Sequence, residues 1–360
     1  MKSNCELQAT PAFMSDIEHI RFRPRMYFGR LGNGSQYDDG IYTMLMRWLC
    51  STADRLKTGV KQCIDINVVG ARYVSVRDYG CGIPHDNMMS VVTDIMFRYN
   101  RTPKETVGYV APAIINALSS HFEICSLRGG VSRTIKFEQG NLICDVIEDT
   151  CKSDGTLITF IPDEALFGSF CFREEYIETM LHNFCCLNTW LTIIFNGKKL
   201  CYDDGLKALL QSRISTDANS IIHFMGDDIE IAFTYTDKYN KKFYSFVNGW
   251  ETKNGGTHLK ALREGVAQAI YEFIPTRNIK RSDIFNGFAG AISIWIEEPV
   301  FVEQMGYELG STTMSSYPDS ISINDFVVCF VKNKLCDLLK QNSWARNMIL
   351  LRIGALSQSH

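Results

Sequence analysis

The run DYGCGIP at residues 78–84 places a carboxylate at the end of a strand-like stretch and follows it with two closely spaced glycines. An ionised carboxylate accepts hydrogen bonds only, and glycine lets a backbone pass close to a bound group, so this strand end suits ligand binding. The same residues also suit a plain turn, in which Asp78 caps the backbone and Gly80 and Gly82 give it shape. Other chemistries lack their spacing. The histidines at 19, 85, 121, 182, 223, 258 and 360 make no HExxH or His-x-His pattern, and neither a GxSxG elbow nor a GxxxxGK[ST] loop occurs. His258, at a helix start, reads as a hydrogen-bonded scaffold residue. The thirteen cysteines include no CxxC pair, and the adjacent Cys185 and Cys186 are badly placed for one metal, so the set reads as buried reduced thiols.

The elements that would position Asp78 are legible as patterns. Ser15 and Asp16 open a capped helical turn expected to stop at Pro24, and a Gly-rich loop, GRLGNGSQYDDG, follows. Ile41, Leu45, Trp48, Leu49 and Leu56 fall at helical spacing and predict one long helix, ended by Gly59. The stretch CIDINVVGARYVSVRDYG alternates as two strands with a turn at Gly70 and Ala71. A polar run then leads to a helix expected over 113–119, and strands are predicted at EICSL, RTIKFEQG and GTLITFIP. A boundary is expected near 211–218, where DGLKALLQ gives way to SRISTDANS; beyond it lie strands DIEIAFTYT, KFYSFVNG and GAISIWIEEP and the helix THLKALREGVAQAIYEF.

Six stretches, RFRPRMYFG, DYGCGIP, IINALS, GTLITFIPD, SFVNGWETKNGGTH and PVFVEQMGYELG, resemble in order and spacing the ATPase and transducer region of DNA gyrase B and topoisomerase IV B subunits, within the GHKL ATPase superfamily. The resemblance implies an α/β (α+β) fold: a GHKL (Bergerat) ATPase-like α/β sandwich over 1–212, then a transducer domain of ribosomal protein S5-like fold over 213–360, with no Toprim domain. It also implies ATP as ligand. In such proteins an aspartate at the Asp78 position accepts the adenine amino group, Gly80 and Gly82 pass under the base, Ile83 and Pro84 wall it, and Thr156 gives a second polar contact.

The hydrolytic residues of that family are replaced. Its long helix carries a glutamate that activates water and, one turn later, an asparagine that ligates Mg²⁺; here Arg47 and Ser51 occupy those positions. Arginine is no base at neutral pH, and serine is a poorer Mg²⁺ ligand than a carbonyl or carboxylate oxygen. The resemblance therefore implies no catalytic residue and no metal ligand here. The GxxGxG lid corresponds to TVGYVAPAIINALS, which keeps only Gly108, shifted in register; Pro112 near the helix start is tolerated. The QTK loop that sends a lysine to the γ-phosphate reads Gln304, Met305, Gly306, so Gln304 persists without the cation. Base, metal ligand, lid glycines and lysine are parts of one apparatus for phosphoryl transfer, and their joint loss describes a pseudo-ATPase. Two readings of Arg47 stand: neutralising phosphate in place of Mg²⁺, or pairing with a carboxylate such as Asp54 or reaching solvent. The enzymatic alternative is a weakly active ATP-hydrolysing component of a split type IIA topoisomerase, with Glu105 or Asp54 as displaced base.

Composition bounds the partners. A net charge of -3 provides no overall attraction to nucleic acid, so DNA is expected only indirectly. With 46% apolar residues the chain has material for two domains, and its 22 Phe and 15 Tyr read as core packing. The basic set Arg21, Arg23, Arg25 and Arg30 is expected to border the site or the amino-terminal arm; Arg277, Lys280 and Arg281 read as solvated surface, with contact to DNA passing through a dimer as the alternative. The amino terminus lacks the order of a signal peptide and the most apolar run, 288–296, is too short to span a bilayer, so a cytoplasmic protein with no membrane contact is expected. A homodimer, or a heterodimer with a topoisomerase B or A subunit, is the partnership the resemblance implies; strand passage would need a Toprim domain.

Overall fold

The structure, a computed structural model, describes residues 14–56, 61–94, 110–214, 220–236, 241–275, 279–303 and 306–354. Two compact units emerge, one of residues 1–48, 67–98 and 108–173, the other of 49–66, 99–107 and 174–360.

The first unit opens with α1 (Asp16–Phe22), started by a capping box in which Ser15 Oγ accepts the Glu18 N–H at 3.3 Å and Glu18 Oε2 accepts the Ser15 N–H at 2.8 Å. Pro24 does not only end this turn: it is the first residue of a second helix, α2 (Pro24–Phe28), where its missing N–H costs nothing. The predicted long helix is α3 (Gly40–Leu56), and Leu45, Trp48 and Leu49 are buried as its spacing requires. Residues 49–56 of α3 and 62–66 of the next element, β1 (Gln62–Val69), count with the second unit; β1 and β2 (Tyr73–Asp78) flank a two-residue turn in which Gly70 and Ala71 have φ of 59° and 55°, closed by the Arg72 N–H on the Val69 carbonyl at 3.2 Å. Both central residues with positive φ describe the hairpin turn whose twist matches its strands.

α4 (Met88–Thr93) is tied to α5 (Val110–Ala117) by Asn116 Nδ2, which donates to the Val92 carbonyl at 2.9 Å. The helix expected over 113–119 thus starts earlier and stops sooner, because Ser119 already belongs to a strand. β3 (Ser119–Arg128), β4 (Val131–Glu138), β5 (Asn141–Asp149) and β6 (Gly155–Pro162) join β2 in the order β5-β4-β3-β6-β2, every neighbouring pair antiparallel. The short α6 (Glu164–Phe167) closes the unit behind an Asp163 cap.

In the second unit α7 (Glu174–Leu187) precedes the hairpin β7 (Leu191–Phe195) and β8 (Lys198–Leu200), with β7 parallel to β1. α8 (Gly205–Ile214) buries Leu206, Leu209 and Leu210 in a cluster with Ala232, Phe246 and Ala291. β9 (Ile222–Met225), β10 (Ile229–Tyr235), β11 (Lys242–Val247) and β12 (Trp250–Glu251) follow, then β13 (Gly255–Gly256), α9 (Thr257–Phe273), α10 (Arg281–Ile284), β14 (Phe288–Ile294), β15 (Glu308–Leu309), α11 (Ile323–Gln341) and α12 (Ser343–Arg352). The sheet runs β12-β11-β14-β10-β9, with β11 parallel to β14. Phe233 stacks on Phe288 with ring centroids 5.3 Å apart in its core. Gly265, in mid-helix, lets α9 and α11 meet: a Cβ there would lie 2.9 Å from Val331 Cβ and 3.2 Å from Val328 Cα. Among the described residues no helix is long and apolar enough to cross a membrane.

Candidate functional site

Asp78 ends β2 fully buried, and its Oδ1 accepts two backbone N–H groups, from Gly80 at 3.0 Å and Thr156 at 3.2 Å. The antiparallel register that sets Arg77 opposite Leu157 brings Thr156 beside it. Gly155 makes this approach feasible: its φ is +136°, and a Cβ would fall 2.1 Å from the Asp78 carbonyl. Gly82, at φ +69°, passes as closely over β3, where a Cβ would meet the Leu127 carbonyl at 2.5 Å. Ile83 is buried and its carbonyl accepts Ser126 Oγ at 2.7 Å; Pro84, half-buried, leads into a short 3-10 turn. Asp78, Gly80, Gly82, Ile83, Pro84 and Thr156 are therefore contiguous in space.

Two arginines fix the loop from the neighbouring strands. Arg128 Nη1 donates to the Cys81 and Gly82 carbonyls at 3.2 and 3.4 Å, and Arg133 donates to the His85 carbonyl. Arg133 is itself held by Asp145, at 2.9 and 2.7 Å, in a fork-to-carboxylate pair that lowers the Asp145 pKa and raises that of Arg133. Neither arginine was singled out from sequence, since nothing in a β-strand arginine announces a carbonyl partner on another element.

Arg47, on α3, directs Nη2 to the Tyr27 carbonyl at 3.1 Å and lies with Cζ 5.5 Å from the Phe28 ring centroid. That engagement with α2 was not among the contacts expected from sequence. Ser51 is buried, with 5% of its surface exposed. Asp39, also missed, is the organiser of the Gly-rich loop: fully buried, it accepts the Gly34 and Gln36 N–H groups at 2.9 and 3.1 Å and pairs with Arg30 Nε at 3.0 Å. Gly32 is required there, because a Cβ would overlap the Asp39 carboxylate at 1.9 Å. Arg21 is structural too, donating to the Ala117 carbonyl at 2.6 Å and to Asp163 at 2.5 Å.

Gln304, Met305, Glu105 and Gly108 lie outside the described residues. Asn248, at φ 51°, clips β11 to β14 by exchanging hydrogen bonds with Ile296, 2.9 Å to its carbonyl and 2.8 Å from its N–H. His258 is buried, its Nε2 3.2 Å from Thr252 Oγ1, and burial pushes its pKa down to about 3, which suits a neutral scaffold residue. The cysteines correct one expectation: Cys185, Cys186 and Cys336 are buried, but Cys81, Cys151, Cys171 and Cys329 are exposed. No group of three or more His, Cys, Asp or Glu side chains among the described residues could hold a metal ion.

A buried carboxylate at a strand end, a Gly-x-Gly loop braced by Arg128 and an antiparallel sheet with helices make up the first unit, in keeping with the α/β sandwich expected from sequence. The sequence model of the DNA gyrase B family matches residues 191–349. The B subunit of DNA topoisomerase 4 from Borreliella burgdorferi is 34% identical over 305 residues, covering 83% of this chain and 51% of that protein. The B subunit of the type 2 topoisomerase from Aquifex aeolicus is 25% identical over 363 residues, covering 91% and 45%. Among solved structures, the fold is similar to the 43K ATPase domain of Thermus thermophilus gyrase B in complex with an aminocoumarin, at a TM-score of 0.71 and 20% identity, with 94% of each chain covered. It is equally similar to the ATPase region of Saccharomyces cerevisiae topoisomerase II, at 0.73 and 19%, covering 95% and 97%. The chain is a gyrase B-like ATPase region, similar to the B subunits of type II topoisomerases. It spans about half the length of the curated relatives it matches.

Proposed function

We propose that this chain is a pseudo-ATPase that binds adenine nucleotide without efficient hydrolysis and acts by docking on a topoisomerase subunit or on a second copy of itself. The observation that carries the reading is the contrast between two places in the first unit. Around Asp78 the residues expected to face a nucleotide stand together: two N–H groups orient the carboxylate, and the loop over 80–84 follows it, with Gly82 packed against the Leu127 carbonyl of β3. At the position of the water-activating base stands Arg47, a permanent cation already engaged with the Tyr27 carbonyl.

In this reading the Asp78 carboxylate accepts the exocyclic amino group of adenine, with Thr156 held beside it by the shared backbone bond. ATP would supply a phosphate chain whose charge Arg47 offsets. A guanidinium and a neutral hydroxyl do not form the oxygen cage that Mg²⁺ demands, so Arg47 and Ser51 do not fit the metal, and no step is assigned to it. Gln304 is assigned to the phosphate end by family position alone. We assign 1–212 as the ATPase-like domain and 213–360 as the transducer domain, and place the protein in the cytoplasm with DNA contacted only through its partner.

Calorimetry with ATP in the presence of EDTA, beside phosphate release from the same preparation, tests the proposal. The expectation is saturable, chelator-insensitive binding with no turnover by the unmodified chain. Steady phosphate release by that chain, or loss of all binding on chelation, would overturn it.

A further inference from the structure

The second unit contains a cleft of about 720 Å³, lined by cations on aromatic walls. Lys241, Lys260, Arg263 and Arg281 converge on it, with Phe243 and Phe285 beneath, while Asp283 is the one acidic side chain in its lining. That carboxylate is turned to local bonds, accepting the Lys280 N–H at 3.3 Å and Ser282 Oγ at 3.1 Å. The protein as a whole carries a net charge of -3, so a cationic concentration here is a local feature and not a general excess.

The cations are unevenly paired. Arg281 meets Glu264 at 2.9 Å and Lys260 meets Glu308 only at 3.9 Å; among the described residues no carboxylate pairs with Lys241 or Arg263. Arg263 is the most constrained, with Cζ 4.1 Å from the Phe243 ring centroid and its Nε buried without a hydrogen-bond partner. An N–H taken out of water without an acceptor is costly, and burial together with the charge of Arg281 lowers the Arg263 pKa. Such a guanidinium is stacked in place and lacks its anion.

We propose that this cleft is a binding site for a small, multiply charged phosphoryl anion of polyphosphate or nucleotide size, distinct from the Asp78 pocket. Arg263 and Arg281 present planar N–H edges that match phosphoryl oxygens, and Lys241 and Lys260 add point charges at the rim. The volume falls within the range of about 300–1,000 Å³ common to small-ligand pockets, and the Phe243 and Phe285 walls give the anion a low-dielectric side where its attraction to the cations is strongest.

Titration of the whole chain with inorganic tripolyphosphate, followed by calorimetry and by chemical-shift changes in the Arg263 and Arg281 side chains, tests the site. One equivalent should bind, Lys241→Ala with Lys260→Ala should weaken it at least tenfold, and Arg263→Gln should weaken it further. The two lysines are rim residues whose removal leaves the core untouched, so the test survives if Arg263→Gln fails to fold. Arg47→Ala should leave tripolyphosphate affinity unchanged, which separates this cleft from the proposed nucleotide site. Absence of binding at millimolar ligand, loss of binding with Arg47→Ala, insensitivity to the lysine pair, or saturation by short duplex DNA without competition from tripolyphosphate would each overturn the proposal.

Discussion

Asp78 Oδ1 accepts the backbone N–H of Thr156 at 3.2 Å, so the carboxylate that closes β2 takes its orientation from the first residues of β6. The bond couples the candidate adenine acceptor to sheet register, and the substitution Asp78→Asn reads the coupling directly. An amide oxygen can keep both N–H bonds, so stability should fall by about 1–2 kcal/mol at most. Adenine nucleotide binding should fall at least tenfold, because a carboxylate that accepts an amino group has become a group that also donates. Thermal melts and ADP calorimetry on the same variant check this; unchanged ADP affinity would remove Asp78 from the site.

Gly155 should be irreplaceable. At φ +136° and with a Cβ placed 2.1 Å from the Asp78 carbonyl, Gly155→Ala meets both backbone strain and overlap. A loss of about 1–3 kcal/mol from strain alone is expected, with displacement of the Thr156 N–H added to it. Urea denaturation measures the loss, and a variant as stable as the parent would show that β6 tolerates a different path.

His258 makes the fold acid-sensitive. Burial holds its pKa down to about 3, against an ordinary value of about 6.5 in the unfolded chain. Between those values the unfolded chain binds a proton that the folded chain refuses. This contribution to stability is complete above about pH 6.5 and is lost as pH falls toward 3, with a slope of up to about 1.4 kcal/mol per pH unit. His258→Gln should flatten stability between pH 7.5 and pH 5 by about 2 kcal/mol; an unaltered pH profile would assign the acid sensitivity to other groups.

Thiol labelling should divide the cysteines by position. Burial pushes the thiols of Cys185 and Cys186 up to about 12, where the reactive thiolate is negligible at neutral pH. Cys81, Cys151, Cys171 and Cys329 are exposed and should react with a disulfide reagent within the native protein. Mass spectrometry of partly labelled protein locates the modifications; rapid native labelling of Cys185 or Cys186 would contradict their burial.

What the sequence disclosed followed the physical signals each element carries. The stripe from Ile41 to Leu56 predicted α3 because one face of it is buried, and Gly70 with Ala71 marked a hairpin that the φ values bear out. β5 carried no such signal: nearly all of its residues are exposed, so there is no alternation to read. Asp39 was invisible for another reason, since an aspartate before a glycine looks like any loop residue until the chain folds its carboxylate into Gly34 and Gln36. Arg47 shows the limit most plainly. Its position on the helix was legible, but one of its partners is a main-chain carbonyl, at Tyr27, which has no sequence identity.

β5 also sets the colloidal character of the first unit. Among the described residues no strand lies on its outer side, and Leu142, Ile143, Val146 and Ile147 are 51%, 59%, 40% and 61% exposed. An open edge of that kind invites edge-to-edge stacking, and only the interspersed Asp145, Glu148 and Asp149 act as gatekeepers against it. Asp145 keeps its charge to lower pH than an ordinary aspartate, because Arg133 lowers its pKa. The same arginine that donates to the His85 carbonyl therefore also holds a charge on this open edge as the pH falls.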